Sequence, residues 1–173
     1  NTVLVLMADH GECLGEQKKK GHGWTLLDAE FRVPCIIHEE SLRQKRIRSM
    51  CRTIYIVPTV LNLLGIRKRI TLDGVDGLEG GNSVNEVFME GCLTFLETRG
   101  IRTQKWKYTI EERKSEALFD MVNDAQEKRN VIDNFEGIAG ELRQRVKKHF
   151  AEESKEQETD ERTKEMLRKL GYL

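Results

Sequence analysis

The chain has 173 residues, 38% of them apolar and 34% charged, which is enough for one modest core and about one domain by length. Lys plus Arg and Asp plus Glu number 29 each, so no net field draws the chain to nucleic acid or to an anionic membrane. No apolar run approaches the roughly 18 residues of a membrane-spanning helix, and the cysteines (Cys13, Cys35, Cys51 and Cys92) form no C-x-x-C pair, which argues against a zinc ribbon or a dense disulfide scaffold and leaves isolated thiols in a soluble protein.

The opening residues carry no initiator Met, no basic segment and no signal peptide. The sequence therefore reads as a fragment of undetermined compartment, with a lean towards the cytoplasm. Thr2 to Met7 is continuous in apolar or β-branched residues, too short for a helix, and predicts a buried parallel strand covered on both faces. It runs into Ala8-Asp9-His10-Gly11-Glu12, and loops at the carboxyl ends of strands are where α/β sheets place ligands. Gly11, Gly15, Gly21 and Gly23 predict a long flexible loop over 11–23 with Lys18, Lys19 and Lys20 in its middle. A helical turn or two over Leu26 to Phe31 follows, with Asp28 and Glu30 on its wet face. Arg32 to His38 then reads as a second buried strand, with Pro34 near its start.

Residues 39–52 are rich in Arg and Lys but lack aromatic residues for stacking on bases, and read as a solvated connector. From Thr53 to Leu64, Ile54, Val57, Leu61 and Leu64 share one helical face, with Pro58 in the first turn and Gly65 at the end; this predicts a core-facing helix. Residues 67–99 read as an irregular Gly-rich linker. Short alternating segments at 101–103, 105–110 and 117–121 predict a small antiparallel sheet. In the helical tail from Ile138 to Leu173, Leu142, Val146 and Phe150 form the seam of a docking helix. The fold class is α/β. Residues 1–66 supply strands and a helix to a mixed sheet flanked by helices, and residues 100–173 form an antiparallel subdomain with C-terminal helices.

Two groups could carry chemistry. Asp9 and His10 are adjacent where the chain leaves a strand, and a carboxylate with an imidazole suits Mn or Zn better than an all-oxygen calcium site; the bland reading is a turn Asp beside a surface His. His22, between Gly21 and Gly23, could fold back over the same strand end. There an imidazolium, or an ammonium from Lys18, Lys19 or Lys20, would stabilise charge on the oxygens of a sulfate or phosphate ester. The lysine run itself reads first as solvated.

In order along the chain, Asp9-His10-Gly11-Glu12-x-Leu14-Gly15-Glu16, Gly21-His22-Gly23 and Leu27-Asp28-x-Glu30-x-Arg32-Val33-Pro34-x-Ile36-Ile37 resemble the second half of the sulfatase catalytic domain, in the alkaline phosphatase superfamily. Ile56-Val57-Pro58-Thr59-Val60-Leu61-x-Leu63-Leu64-Gly65-Ile66 is similar to the family's helix after the second strand, and Asp76-Gly77 to its following loop. Ile101-Arg102-Thr103-x-Lys105-Trp106-Lys107-Tyr108, Leu118-Phe119-Asp120-x-x-Asn123-Asp124 and the ending Leu167-Arg168-x-Leu170-Gly171-Tyr172-Leu173 resemble its C-terminal sheet and tail.

The resemblance implies that residues 1–66 close an alkaline-phosphatase-like catalytic domain. Asp9 and His10 would be ligands of one divalent metal ion, Mn or Ca, with Zn as a third choice. His22 would be the catalytic and substrate-contacting imidazole, with Lys20 beside it in substrate binding, and Arg32 would be structural. Gln17 stands where many members have a second His, and His10 where calcium-dependent members commonly have Asn. The formylglycine motif C/S-x-P-x-R is absent, because Arg32 and Ile56 are the residues two positions before the two prolines. The expected function is that of a metal-dependent sulfatase-like hydrolase fragment without its nucleophile, inactive alone, acting on a sulfate or phosphate ester, with no nucleic-acid partner and an undetermined oligomeric state. The alternatives are a phosphoester or phosphonate-ester hydrolase or phosphoethanolamine-type transferase of the same superfamily, and a non-catalytic interaction protein on a degenerate fold.

Overall fold

Between residues 86 and 120, short segments that alternate across a pleat need partners on either side, and they find them in one another. In the computed structural model, which describes residues 2–23, 25–66, 71–78, 84–91, 98–111, 115–156 and 168, strands β5 (Glu86–Gly91), β6 (Thr98–Thr103), β7 (Trp106–Glu111) and β8 (Glu116–Asp120) form an antiparallel sheet in that order. The register sets Phe88 opposite Ile101, Ile101 opposite Tyr108 and Tyr108 opposite Leu118. Because side chains alternate, this row lies on one face, and the next row, Arg102, Lys107 and Phe119, lies on the other.

Helix α3 (Glu136–Glu156) covers the first face. Ala139, Leu142, Val146 and Phe150 recur at helical spacing and are buried against Ile101, Tyr108 and Leu118 to form the principal core. The docking seam expected in the tail is therefore present, while residues 157–167 and 169–173 lie outside the described residues. The N-terminal half reaches the second face of the sheet. A Cβ on Gly100 would lie 2.8 Å from Leu26 Cδ1 and 2.7 Å from the Tyr108 carbonyl, so Leu26, itself buried, packs down on bare backbone there.

An Arg143 fork closes on Glu116 at the rim of this core, with Nε 3.0 and 2.9 Å from the two carboxylate oxygens and Nη2 2.5 Å from Oε2. Those bonds hold the Glu116 carboxyl below its ordinary value of 4.5. A carboxyl depressed in the folded state stabilises the fold above its unfolded pKa, and the contribution fades as pH falls through the lower folded value. Arg143 is 36% exposed, so water screens the pair. Glu116→Gln is expected to lose about 1 kcal/mol at neutral pH, and the difference from wild type should shrink in urea melts at about pH 3.

The N-terminal half departs more from expectation. Strand β1 (Leu4–Met7) pairs antiparallel with β4 (Cys35–His38), Leu6 opposite Ile36. It is not a parallel strand covered on both faces: Leu4, Leu6 and Ile36 are exposed, since among the described residues β4 is its one strand partner. The same pairing leaves most of β4 exposed. The loop expected over 11–23 folds as a small hairpin of β2 (Cys13–Leu14) and β3 (Lys20–Gly21) around a 3-10 turn at Glu16–Lys18.

Helix α1 (Asp28–Phe31) is the expected short helix, but Asp28 and Glu30 do not sit on a wet face. Glu30 is buried and Asp28 is paired with a buried lysine. A single turn has no periodicity from which a wet side can be read. Helix α2 (Ile56–Leu63) has Pro58 in its first turn and ends at Gly65 in the left-handed region, φ +66°. It does not turn the expected face to a core. Tyr55, Pro58 and Thr59 are buried while Ile54, Val57 and Leu64 are exposed, because the loop at 74–78 takes the other side, with Gly77 N–H donating to Thr59 Oγ1 at 2.8 Å. Strand β5 and the first residues of β6 lie within 67–99, so that span is not an irregular linker throughout.

Candidate functional site

Strand β1 delivers Asp9 and His10 to its carboxyl end. Asp9 Oδ1 accepts the His10 backbone N–H at 2.8 Å; this bond, with the imidazole beside it, holds the fully exposed carboxyl below its ordinary range. His10 Nδ1 lies 2.9 Å from the Gly11 carbonyl. A carbonyl can only accept, so Nδ1 carries the proton and donates, and in the neutral ring Nε2 keeps its lone pair. The same bond raises the pKa of His10.

The β2–β3 hairpin folds His22 back over this strand end. The two imidazoles face each other with ring centroids 4.0 Å apart. His22 Nδ1 is 2.8 Å from Glu12 Oε2, so a carboxylate fixes Nδ1 as donor here too and leaves Nε2 outward. Ligand atoms of His10, Glu12 and His22 all lie within 4.8 Å of one another. The sequence draws His10 and His22 to one crevice but does not single out Glu12; its place two residues after His10 in the same loop is the available signal. Asp9 lies at the edge of the group, with Oδ2 3.9 Å from His10 Nε2. Lys20 sits on β3 opposite Leu14 with its side chain exposed, as are Lys18 and Lys19.

Donor chemistry fits a divalent cation of borderline hardness. Two imidazole nitrogens and up to two carboxylates are accessible, and both rings already have the second nitrogen committed to an oxygen acceptor, the arrangement that orients metal-binding histidines. Gln17 points elsewhere, its Nε2 donating to the Glu127 carbonyl at 2.6 Å. The basic connector is not part of the cluster: Lys45 Nζ reaches the Leu78 carbonyl at 3.4 Å.

Imidazole and carboxylate groups are gathered at the carboxyl end of a strand, the place where open α/β sheets hold ligands. Residues 1–66, which contain this whole cluster, match the family model described as Sulfatase. The chain is 26% identical over 142 residues to an uncharacterized sulfatase, YidJ, of Escherichia coli (strain K12), covering 78% of this chain and 29% of that protein. It is 24% identical over 164 residues to arylsulfatase K of Bos taurus, covering 84% and 30%. Among solved structures, a putative sulfatase from Bacteroides thetaiotaomicron VPI-5482 superposes with a TM-score of 0.77 at 22% identity, covering 87% of this chain and 36% of that one, and shows the same fold. The chain is thus similar to sulfatases, by a family match over residues 1–66 and by sequence and fold over most of its length. It spans about 30% of the length of the curated relatives it matches.

Proposed function

We propose that this chain carries the cation- and oxyanion-binding strand end of a metal-dependent sulfatase-like hydrolase that cleaves sulfate esters. The observation that carries the reading is the pair of imidazoles 4.0 Å apart, each with Nδ1 held by an oxygen acceptor. Asp9 and His10 would hold the metal, and when bound a divalent cation neutralises ester oxygens and polarises the bond to be broken. His22 Nε2, protonated, would donate to a non-bridging oxygen of the ester. Glu12 keeps that ring oriented, so the donor is in place before charge develops. Lys20 would add a second cation at the hairpin. Sulfate esters are favoured by kinship with an arylsulfatase and by the family match. No C/S-x-P-x-R motif lies in the chain, so the nucleophile would come from outside these residues and the chain alone would bind without turnover.

A second donor set is favoured by the 4.8 Å grouping of His10, Glu12 and His22, in which Glu12 would be a ligand. Calorimetric titration of the chain with Mn2+ separates the two. If Asp9 is the ligand, Asp9→Asn weakens binding more than about a hundredfold, whereas Glu12→Gln, which supports a His22 that is then no ligand, changes it only a few-fold; the reverse order identifies Glu12 as the ligand. The ester is decided by assaying the full-length gene product with p-nitrophenyl sulfate against p-nitrophenyl phosphate and a phosphonate monoester. Preference for the phosphorus substrates would replace the sulfatase reading with phosphoryl or phosphonyl transfer. No turnover and no Mn2+ binding would leave a non-catalytic role.

A further inference from the structure

Glu30 is 3% exposed, and three donors converge on its carboxylate. Oε2 accepts the Gly23 N–H at 2.6 Å, while Oε1 accepts the Thr25 hydroxyl at 2.5 Å and the Cys13 thiol at 3.4 Å. Its backbone carbonyl accepts the Gly11 N–H at 2.7 Å. The approach on that side is close enough to require glycine, since a Cβ on Gly11 would fall 2.0 Å from the Ala29 carbonyl oxygen and 3.2 Å from Glu30 Cα.

Gly11 follows His10 and Gly23 follows His22. One buried residue thus grips both arms of the candidate site one position beyond each imidazole, and the Cys13 contact ties in the hairpin between them. A buried carboxylate is tolerated only when its acceptor capacity is filled, and here the filling groups are the two arms themselves. We propose that Glu30 is a positioning residue that sets the separation and facing of His10 and His22. The proposal deepens, and rests on, the reading of those imidazoles as the binding site. Glu30 acts through the backbone next to each ring, at the Gly11 and Gly23 amides.

The test uses the 173-residue chain as wild type, Glu30→Ala, Glu30→Gln and, as a destabilised control far from the site, Leu142→Ala. Two NMR readouts need no metal: the nuclear Overhauser contact between His10 and His22 ring protons, and hydrogen exchange at the Gly11 and Gly23 amides. Glu30→Ala is expected to abolish the ring contact and speed Gly23 exchange by at least about tenfold relative to core amides. Glu30→Gln keeps a carbonyl oxygen for the Gly23 amide and should retain the ring contact, as should Leu142→Ala. Glu30→Asp, which keeps the charge but withdraws the oxygens by one methylene, should show the same loss at smaller size and serves where Glu30→Ala does not fold.

With the donor set of His10, Glu12 and His22, Mn2+ affinity by calorimetry should fall about 10–100-fold in Glu30→Ala and only a few-fold in Glu30→Gln. Wild-type ring contact and Gly23 protection in the Ala and Asp variants would overturn the proposal, as would equal loss in Leu142→Ala. Failure of the wild type to bind Mn2+ would instead overturn the functional reading, with the ring contact and amide exchange still deciding the role of Glu30.

Discussion

Replacing Lys107 by methionine is expected to destabilise the fold by about 3–5 kcal/mol. The Lys107 side chain is fully buried, and its Nζ lies 2.6 Å from Asp28 Oδ1 and 2.7 Å from Glu127 Oε1. Glu127 is itself 3% exposed. Without the ammonium, the buried Glu127 carboxylate faces the part-buried Asp28 carboxylate, and the Arg102 guanidinium, 4.0 Å from Asp28, compensates only in part. Removing one partner of a buried ionic cluster is far more damaging than removing the whole cluster. A triple variant, Lys107→Met with Asp28→Asn and Glu127→Gln, should therefore recover most of the loss. The side-chain amide placed at position 127 keeps a carbonyl oxygen for the backbone N–H of residue 28, which Glu127 Oε2 accepts at 2.7 Å in the wild type. Urea denaturation of both variants is the measurement. A single-variant loss below about 1 kcal/mol would show the cluster to be solvated and dispensable.

This cluster also joins the two halves of the chain. Asp28 opens α1 two residues before Glu30, and the Glu127 carbonyl holds Gln17 at the far side of the β2–β3 hairpin. Both ends of the segment that carries His22 are thus fastened to the second face of the C-terminal sheet. Loosening Lys107 should reach the candidate site through them, as faster exchange at the Gly23 amide before global unfolding.

Features with a local signal were legible in the sequence. The α3 seam was visible because successive turns of helix repeat the same spacing, and the sheet around Trp106 because its segments alternate. The end of α2 was visible because Gly65 supplies a left-handed residue. His10 and His22 could be drawn to one crevice because each stands beside glycine after or within a strand-end loop. What was not legible depended on partners distant in sequence. Glu30 looks like a surface carboxylate on a one-turn helix until Gly23, Thr25 and Cys13 are seen to point at it. Lys107 occupies an alternating strand position that would ordinarily be read as solvent-facing, and it is buried only because Asp28 comes from 79 residues upstream. The exposure of Leu4, Leu6 and Ile36 runs against their composition. A continuous apolar run signals what a strand can bury, whereas what covers it is decided by other elements.

Leu142→Ala tests the other face of the same sheet. Leu142 is 3% exposed and lies in the cluster with Ile101, Tyr108 and Leu118, which are all at 0%. Truncation removes the transfer free energy of the lost carbons and leaves a cavity between a long helix and a hydrogen-bonded sheet, neither of which can collapse far. A loss of about 2–5 kcal/mol is expected, towards the upper part of that range, because α3 is held along its length by Ala139, Val146 and Phe150. Denaturation should show a lower urea midpoint with an unchanged slope, since the surface exposed on unfolding is nearly the same. The folded population should keep the His10–His22 contact, because the cavity opens on the α3 side while the anchors of the site, Leu26, Asp28 and Lys107, lie on the opposite face. If the contact were lost together with Leu142, the two faces of the sheet would be mechanically coupled, and helix α3 would have to be counted among the elements that shape the site.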